Sequence, residues 1–226
     1  MDKRTKGMDD IRKSIVGILA EPGSGYAYTG TGFLAEGGVL VTCAHVLEQA
    51  RRDGEAYLFQ FDGENETRQA FLIRQSAKDD LDLAVLKPKS LPTEAVALKL
   101  VQPVNIRKLA FEVYGYPQKA GFRGRYADGA LQGELTDVQG RAAFQIKSEQ
   151  VEKGFSGAPL YVAELDGVVA IVSSGPGARF GLADQVTAYA IPVRQLEAVY
   201  SRFNIQTGQS AAGWYMAHHY SLRPNF

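Results

Sequence analysis

Three side chains of the 226-residue chain have types that combine into nucleophilic catalysis. They are His45 in Val41-Thr-Cys-Ala-His45-Val46, Asp82 in Asp82-Leu-Ala-Val-Leu86, and Ser156 in Gly154-Phe-Ser156-Gly-Ala-Pro159. A serine hydroxyl is a poor nucleophile until a neighbouring imidazole takes its proton. A buried carboxylate then fixes the imidazole tautomer and stabilises the imidazolium that forms. Gly154 has a separate part: with no side chain, the backbone there can turn so that its N–H, with that of Ser156, points at a developing oxyanion. Such a donor is worth about 3 to 4 kcal/mol of barrier. Asp79 and Asp80 compete with Asp82 for the orienting role. Asp82 is preferred because Leu-Ala-Val-Leu follows it directly, and the other two read as solvated loop charges.

Other groups offer less. Gly30-Thr-Gly32-Phe-Leu-Ala35 matches a loose dinucleotide fingerprint but leads into Gly37-Gly-Val-Leu-Val41, a turn and strand, where pyrophosphate binding needs a helix N-terminus. His218 and His219 lack Cys, Asp or Glu at ligand spacing, so no metal and no cofactor is expected. Cys43, two residues from His45, reads as a small packing group.

Positioning these groups falls to strand-length apolar or alternating runs such as Ser14–Ala20, Tyr26–Leu34, Val39–Thr42, Ala56–Phe61, Leu83–Leu86, Val168–Ser173 and Val186–Ile191. The breaks between them carry turn chemistry, including Glu36-Gly-Gly38, Asp62-Gly63 and Asp166-Gly167. Short strands closely spaced by such turns predict an all-β sandwich or barrel. The Pro-rich stretch with Pro88, Pro92 and Pro103 predicts a connector at about 88–104 between two β sub-domains, at about 14–87 and 105–191. Val193, Leu196, Tyr200 and Phe203 recur every three or four residues after Pro192 and predict a terminal helix over about 192–204. The tail, 205–226, holds Trp214, Tyr215, Tyr220 and Phe226, which need a surface on the body, a partner or a further domain.

Composition narrows the function class. Lys plus Arg and Asp plus Glu are each 25, so no global field attracts nucleic acid or anionic lipid. With 45% hydrophobic and 22% charged residues the chain has the balance of a folding sequence. No run approaches the about 18 apolar residues of a membrane span. One cysteine cannot make an intramolecular disulfide, and no secretory signal is evident before Ile15, which together predict a cytoplasmic protein.

The His, Asp, Ser order and its flanking residues resemble the trypsin/chymotrypsin-like serine proteases, in the bacterial, disulfide-poor, HtrA-like branch. Thr42-Cys-Ala-His45 stands for that family's Thr-Ala-Ala-His, Asp82-Leu-Ala-Val-Leu86 for its Asp strand, and Gly154-Phe-Ser156-Gly-Ala-Pro159 for its Gly-Asp/Asn-Ser-Gly-Gly-Pro. The resemblance spans roughly Ser14 to Phe203. It implies two six-stranded antiparallel β-barrels with a C-terminal helix, and a serine endopeptidase acting on protein or peptide substrates. It also implies an extended substrate pairing with Ser173, Ser174 and Gly175, and a specificity pocket with Gln150 at its base and Thr187 or Ala188 on its wall; a different register would bring Glu152 to that base. Phe155 departs from the pattern, because a phenyl ring cannot receive a liberated N-terminal ammonium as the family's Asp does. Two functions remain open: an active intracellular protease, dedicated to processing or to stress and defence, or a trypsin-like scaffold that is silent or activated by a partner or a missing C-terminal domain.

Overall fold

The computed structural model describes residues 3–77, 79–118, 124–137, 140–174 and 187–208. After a helix, α1 (Lys3–Arg12), come β1 (Ile15–Leu19), β2 (Tyr28–Ala35) and β3 (Val39–Cys43), a one-turn helix α2 (Ala44–Glu48), and β4 (Arg52–Asp53), β5 (Ala56–Phe61), β6 (Arg68–Gln75) and β7 (Leu83–Pro88). Six of these strands follow the order β1-β2-β3-β7-β6-β5, and β1 pairs back onto β5, closing an antiparallel barrel. The two-residue β4 is a ribbon on β5. The second half supplies β8 (Leu100–Pro103), β9 (Ala110–Gly115), β10 (Arg125–Thr136), β11 (Ala142–Lys147), β12 (Pro159–Val162), β13 (Gly167–Ser174) and β14 (Thr187–Pro192). The order β12-β9-β10-β11-β14-β13 is closed by pairing of β12 with β13, giving a second six-stranded barrel. Closure leaves neither barrel an open edge along these strands, which is how a chain rich in short β segments avoids pairing with its neighbours.

Each barrel fills its own interior. Phe33, Leu40, Phe59 and Leu86 are fully buried in the first cluster, which continues through Tyr116, Ile171 and Leu196 into the contact between the barrels. Phe111, Phe144, Ile146 and Phe155 fill the second. Strand β3 is buried at every position instead of alternating, because it has the first barrel's interior on one face and neighbouring chain on the other.

Several segments differ from the sequence reading, among them the twelve-residue β10, whose largely exposed residues show no apolar run. The terminal helix expected over 192–204 is a 3-10 turn, Val193–Gln195, followed by α3 (Leu196–Val199), after which Tyr200 is extended. Val193, Leu196, Val199 and Phe203 are nevertheless buried, so one helical turn and a bend satisfy the apolar spacing. The bend is needed because the tail's first residues form β15 (Ile205–Gly208), which runs parallel to β8 and pairs Ile205 with Leu100. The connector thus contains a strand, and it bridges to β13 through Val168 and Leu100. Ahead of the first barrel, α1 occupies a stretch with no helical signal in its pattern, since its polar residues carry no apolar stripe.

The two environments of phenylalanine generate a stability test. Phe155 is 0% exposed in the second barrel, whereas Phe71 on β6 is 44% exposed. Phe155→Asp is expected to cost at least about 3 to 5 kcal/mol, the penalty for an unpaired charge in a packed interior. Phe71→Asp is expected to cost about 1 kcal/mol or less. Urea unfolding midpoints of the two variants check the contrast.

Candidate active site

Asp82 is 3% exposed and sits in the left-handed region at φ 57, a conformation Asp tolerates better than most residues. That local twist turns its carboxylate back toward the chain leaving β3. Three donors meet it there. The His45 backbone N–H donates to Oδ1 at 3.0 Å, His45 Nδ1 lies 2.8 Å from Oδ2, and Ser173 Oγ donates to Oδ2 at 3.1 Å. With Nδ1 carrying the proton toward Asp82, Nε2 is left as the basic nitrogen of the ring. Asp79 and Asp80, the competing carboxylates, are exposed.

Ser156 approaches from the second barrel. Its Oγ donates to the Ser173 carbonyl at 3.1 Å, and among the described residues no hydrogen bond joins it to His45. Ser173 therefore touches both halves of the site, its side chain on Asp82 and its carbonyl on Ser156. Behind the serine, the Ser156 carbonyl accepts from Thr31 N at 2.9 Å and Gly157 N donates to the Val172 carbonyl at 2.7 Å. A Cβ on Gly157, at φ +88, would lie 1.9 Å from the Thr31 carbonyl oxygen, so only glycine fits there.

The turn before Ser156 is closed by Phe155 N donating to Glu152 O at 3.1 Å, with Gly154 at φ +104. A Cβ on Gly154 would meet the Tyr116 carbonyl oxygen at 2.2 Å and Gln118 N at 2.7 Å. The turn is thus seated directly on the backbone of residues 116–118. Gln118 N donates to the Lys153 carbonyl at 3.0 Å. The C=O and N–H of one planar trans peptide point in opposite directions, so this bond faces the Gly154 N–H away from Gln118. Thr31 Oγ1, fully buried, donates to the Gly154 carbonyl at 2.9 Å and accepts from Tyr116 N at 3.0 Å.

The sequence-predicted residues divide as follows. His45, Asp82, Ser156, Gly154 and Ser173 come together. Ser174 pairs in register with Tyr189 at the end of β13, and Gly175 lies outside the described residues. Thr187 opens β14 opposite Lys147. Gln150 is exposed, and its side-chain oxygen accepts from Asp128 N at 3.2 Å, engaging β10. Glu152, the other candidate for the pocket base, is ion-paired with Arg125 at 3.2 Å. Ile15 and Val16 are interior residues of β1, paired with Phe33 and Gly32, and Phe155 is core. Thr31 and Gln118 escaped the sequence reading. The signal for Thr31 was its place between Gly30 and Gly32, a pattern weighed there only as a nucleotide motif. The donor atoms of Cys43, His45 and Asp82 lie within 4.8 Å of one another, a spacing open to a metal ion, but His45 and Asp82 already bond each other and the Cys43 thiol faces the Val172 carbonyl. His218 and His219 lie outside the described residues.

The family model described as the trypsin-like peptidase domain matches residues 30–171, more than half of the chain. No curated protein matches. Among solved structures, the active form of the Rv3671c protease from M. tuberculosis is 20% identical with a TM-score of 0.65, covering 93% of this chain and 88% of that one. Deg5 is 20% identical with a TM-score of 0.63, over 88% of this chain and 94% of its own. The HtrA-type protease AlgW with a decapeptide is 17% identical with a TM-score of 0.66, over 87% of this chain and 66% of that one. At these identities the likeness is one of fold, and it agrees with the two closed barrels. Taken with the family match across the segments that carry His45, Asp82 and Ser156, it places this chain among the trypsin-like peptidases, as a serine endopeptidase by class.

Proposed function

We propose that His45, Asp82 and Ser156 form the catalytic triad of an intracellular endopeptidase. The observation that carries this reading is the 2.8 Å contact of His45 Nδ1 with a nearly buried Asp82, whose other side-chain partner, Ser173, accepts the Ser156 hydroxyl at its carbonyl. In the reaction, Ser156 Oγ leaves the Ser173 carbonyl by rotation about χ1 and attacks the scissile carbonyl carbon while His45 Nε2 takes its proton. Asp82 stabilises the imidazolium without taking the proton itself. The electron pair displaced onto the carbonyl oxygen is met by the Gly154 and Ser156 N–H groups. Collapse of the tetrahedral intermediate breaks the C–N bond, and His45 returns the proton to the departing amine. Water then repeats the sequence on the acyl-enzyme, freeing Ser156. An extended substrate would pair main chain to main chain with the end of β13 at Ser173 and Ser174 and on toward Gly175, past its last pair with β12 at Ile171.

The resting bond from Ser156 Oγ to the Ser173 carbonyl supports a second reading, in which a partner or substrate must draw the hydroxyl toward His45 before chemistry begins. Burial of Phe155 and pairing of Ile15 within β1 support control of this kind over control by cleavage before Ile15. The single buried cysteine supports a reducing compartment, and no described helix is long and apolar enough to cross a membrane. A dedicated processing, stress or defence role suits a protease of this kind.

Fluorophosphonate labelling tests the assignment, since it demands an activated serine. Wild-type protein is expected to label at Ser156, and Ser156→Ala to lose labelling and about 10⁶-fold in turnover. His45→Ala should lose nearly as much, and Asp82→Asn about 10⁴-fold through the wrong tautomer. Wild-type turnover in Ser156→Ala would overturn the triad, and an unlabelled wild type would leave the scaffold reading.

Specificity is read from the charge of whichever residue, Gln150 or Glu152, meets the side chain before the cleaved bond. Gln150 has none, and the charge of Glu152 is engaged by Arg125, so an incoming Arg or Lys would be desolvated unpaired at a cost of several kcal/mol. Proteome-digest profiling is expected to give uncharged residues such as Ala, Val, Leu or Gln before the cleaved bond. A dominant Arg or Lys signal that vanishes in Glu152→Gln would transfer the base to Glu152.

A further inference from the structure

The side chain of Arg12, at the end of α1, ends on a group that has no part in the reaction as derived. Its Nε donates to Asp62 Oδ2 at 2.7 Å, and a second guanidinium nitrogen lies 2.7 Å from the same oxygen. The other oxygen, Oδ1, accepts from Tyr114 OH at 2.9 Å and Tyr116 OH at 3.1 Å. The guanidinium also lies 5.0 Å from the Tyr114 ring centre and 5.7 Å from that of Tyr126, within cation–π range. Asp62 ends the first barrel's β5 region and its side chain is only 6% exposed, whereas the tyrosines belong to or follow strands of the second barrel. One buried carboxylate thereby joins the N-terminal helix to both barrels. Burial first, and the charge of Asp62 second, push the Tyr114 and Tyr116 hydroxyls upward from their ordinary pKa, so both remain donors to it.

Tyr116 is also the residue on which the Gly154 turn rests. Its carbonyl is the nearest obstacle to a Cβ on Gly154, its N–H donates to the Thr31 hydroxyl that holds the Gly154 carbonyl, and two residues on Gln118 N holds the Lys153 carbonyl. The path from Arg12 to the turn is therefore continuous: Arg12, Asp62, Tyr116, then Thr31 and Gly154. The geometry points to Arg12 as a positioning residue that, through Asp62 and Tyr116, keeps the Gly154 turn in the form that presents its N–H. This rests on the reading of Gly154 and Ser156 as the oxyanion donors. Without the guanidinium, the Asp62 charge would have two neutral donors and no counter-charge, and hydration would draw it outward. Tyr116 would lose its tether at the turn's own seat. An internal arginine thus does at this site what Phe155 cannot, tying the N-terminal segment to the order of the oxyanion turn.

The test uses the whole chain with two readouts: fluorophosphonate labelling against probe concentration, and amide hydrogen exchange. Arg12→Gln is expected to lower the maximal labelling rate about tenfold while the probe concentration for half-maximal rate stays the same. Tyr116→Phe, which keeps the ring on Tyr28 and should fold even if Arg12→Gln does not, is expected to act alike. The double variant should be no slower than the slower single one, because both break the same path. Arg12→Lys should recover most of the rate, and exchange should quicken in 115–118 and 152–156. A labelling wild type with an unchanged maximal rate in both single variants, or quickened exchange confined to 9–14 and 60–64, would overturn the proposal. An unlabelled wild type whose Arg12→Gln variant still quickens exchange at 152–156 would leave the scaffold reading of the triad while supporting the coupling.

Discussion

A carboxylate as buried as that of Asp82 is stable only if donors replace the water it gives up, and the three donors that do so organise the site around it. Two come from His45 and hold the imidazole by ring and backbone at once. The third comes from Ser173, across the contact between the barrels, so satisfying one charge also sets how the halves dock. Ser173 then passes that alignment on, because its carbonyl receives Ser156. The residues proposed for chemistry come from separate closed barrels that share no strand of their rings. Only side-chain and turn contacts across the seam can align them, and these converge on Asp82, Thr31 and Asp62.

The seam explains why so many of its polar groups are used twice. Thr31 gives its proton to Gly154 and its lone pair to Tyr116, and its backbone N–H and carbonyl serve Ser156 and Thr42. Asp62 divides its two oxygens between an arginine and a pair of tyrosines. A buried group with every donor and acceptor engaged has one position in which all are satisfied, and moving it leaves several partners unpaired together. The rigidity needed at the Gly154 turn arises from this sharing more than from the turn itself.

Much of this was legible in the sequence, and the boundary has physical causes. The alternating runs and Gly-rich breaks gave most of the strands, though not the largely exposed β10, and the order of His45, Asp82 and Ser156 with their flanks gave the resemblance from which the two barrels followed. Local pattern failed where tertiary contact decides. Val193 to Phe203 has helical spacing, but only four residues are α-helical because the chain must bend to reach β8. Leu100–Pro103 looked irregular because its partners, Val168 and Ile205–Gly208, lie far along the chain. Phe155 was legible as a departure, but its place in the second barrel's interior was not. Arg12 and Asp62, fifty residues apart, carry no sequence sign that they meet.

The parallel pairing of β15 with β8 has a consequence for the order in which the protein can be built. Every strand of the first barrel precedes Lys89, so that barrel can close on the ribosome while the second half is still being translated. The connector strand cannot be fully paired until residue 208 has emerged, which at ordinary translation speeds is about 6 to 24 seconds later. Ser156 and the Gly154 turn are made within that interval. A nascent chain therefore carries His45 and Asp82 in a closed barrel before Ser156, the proposed nucleophile, has been made, and the clamp on the connector forms later still.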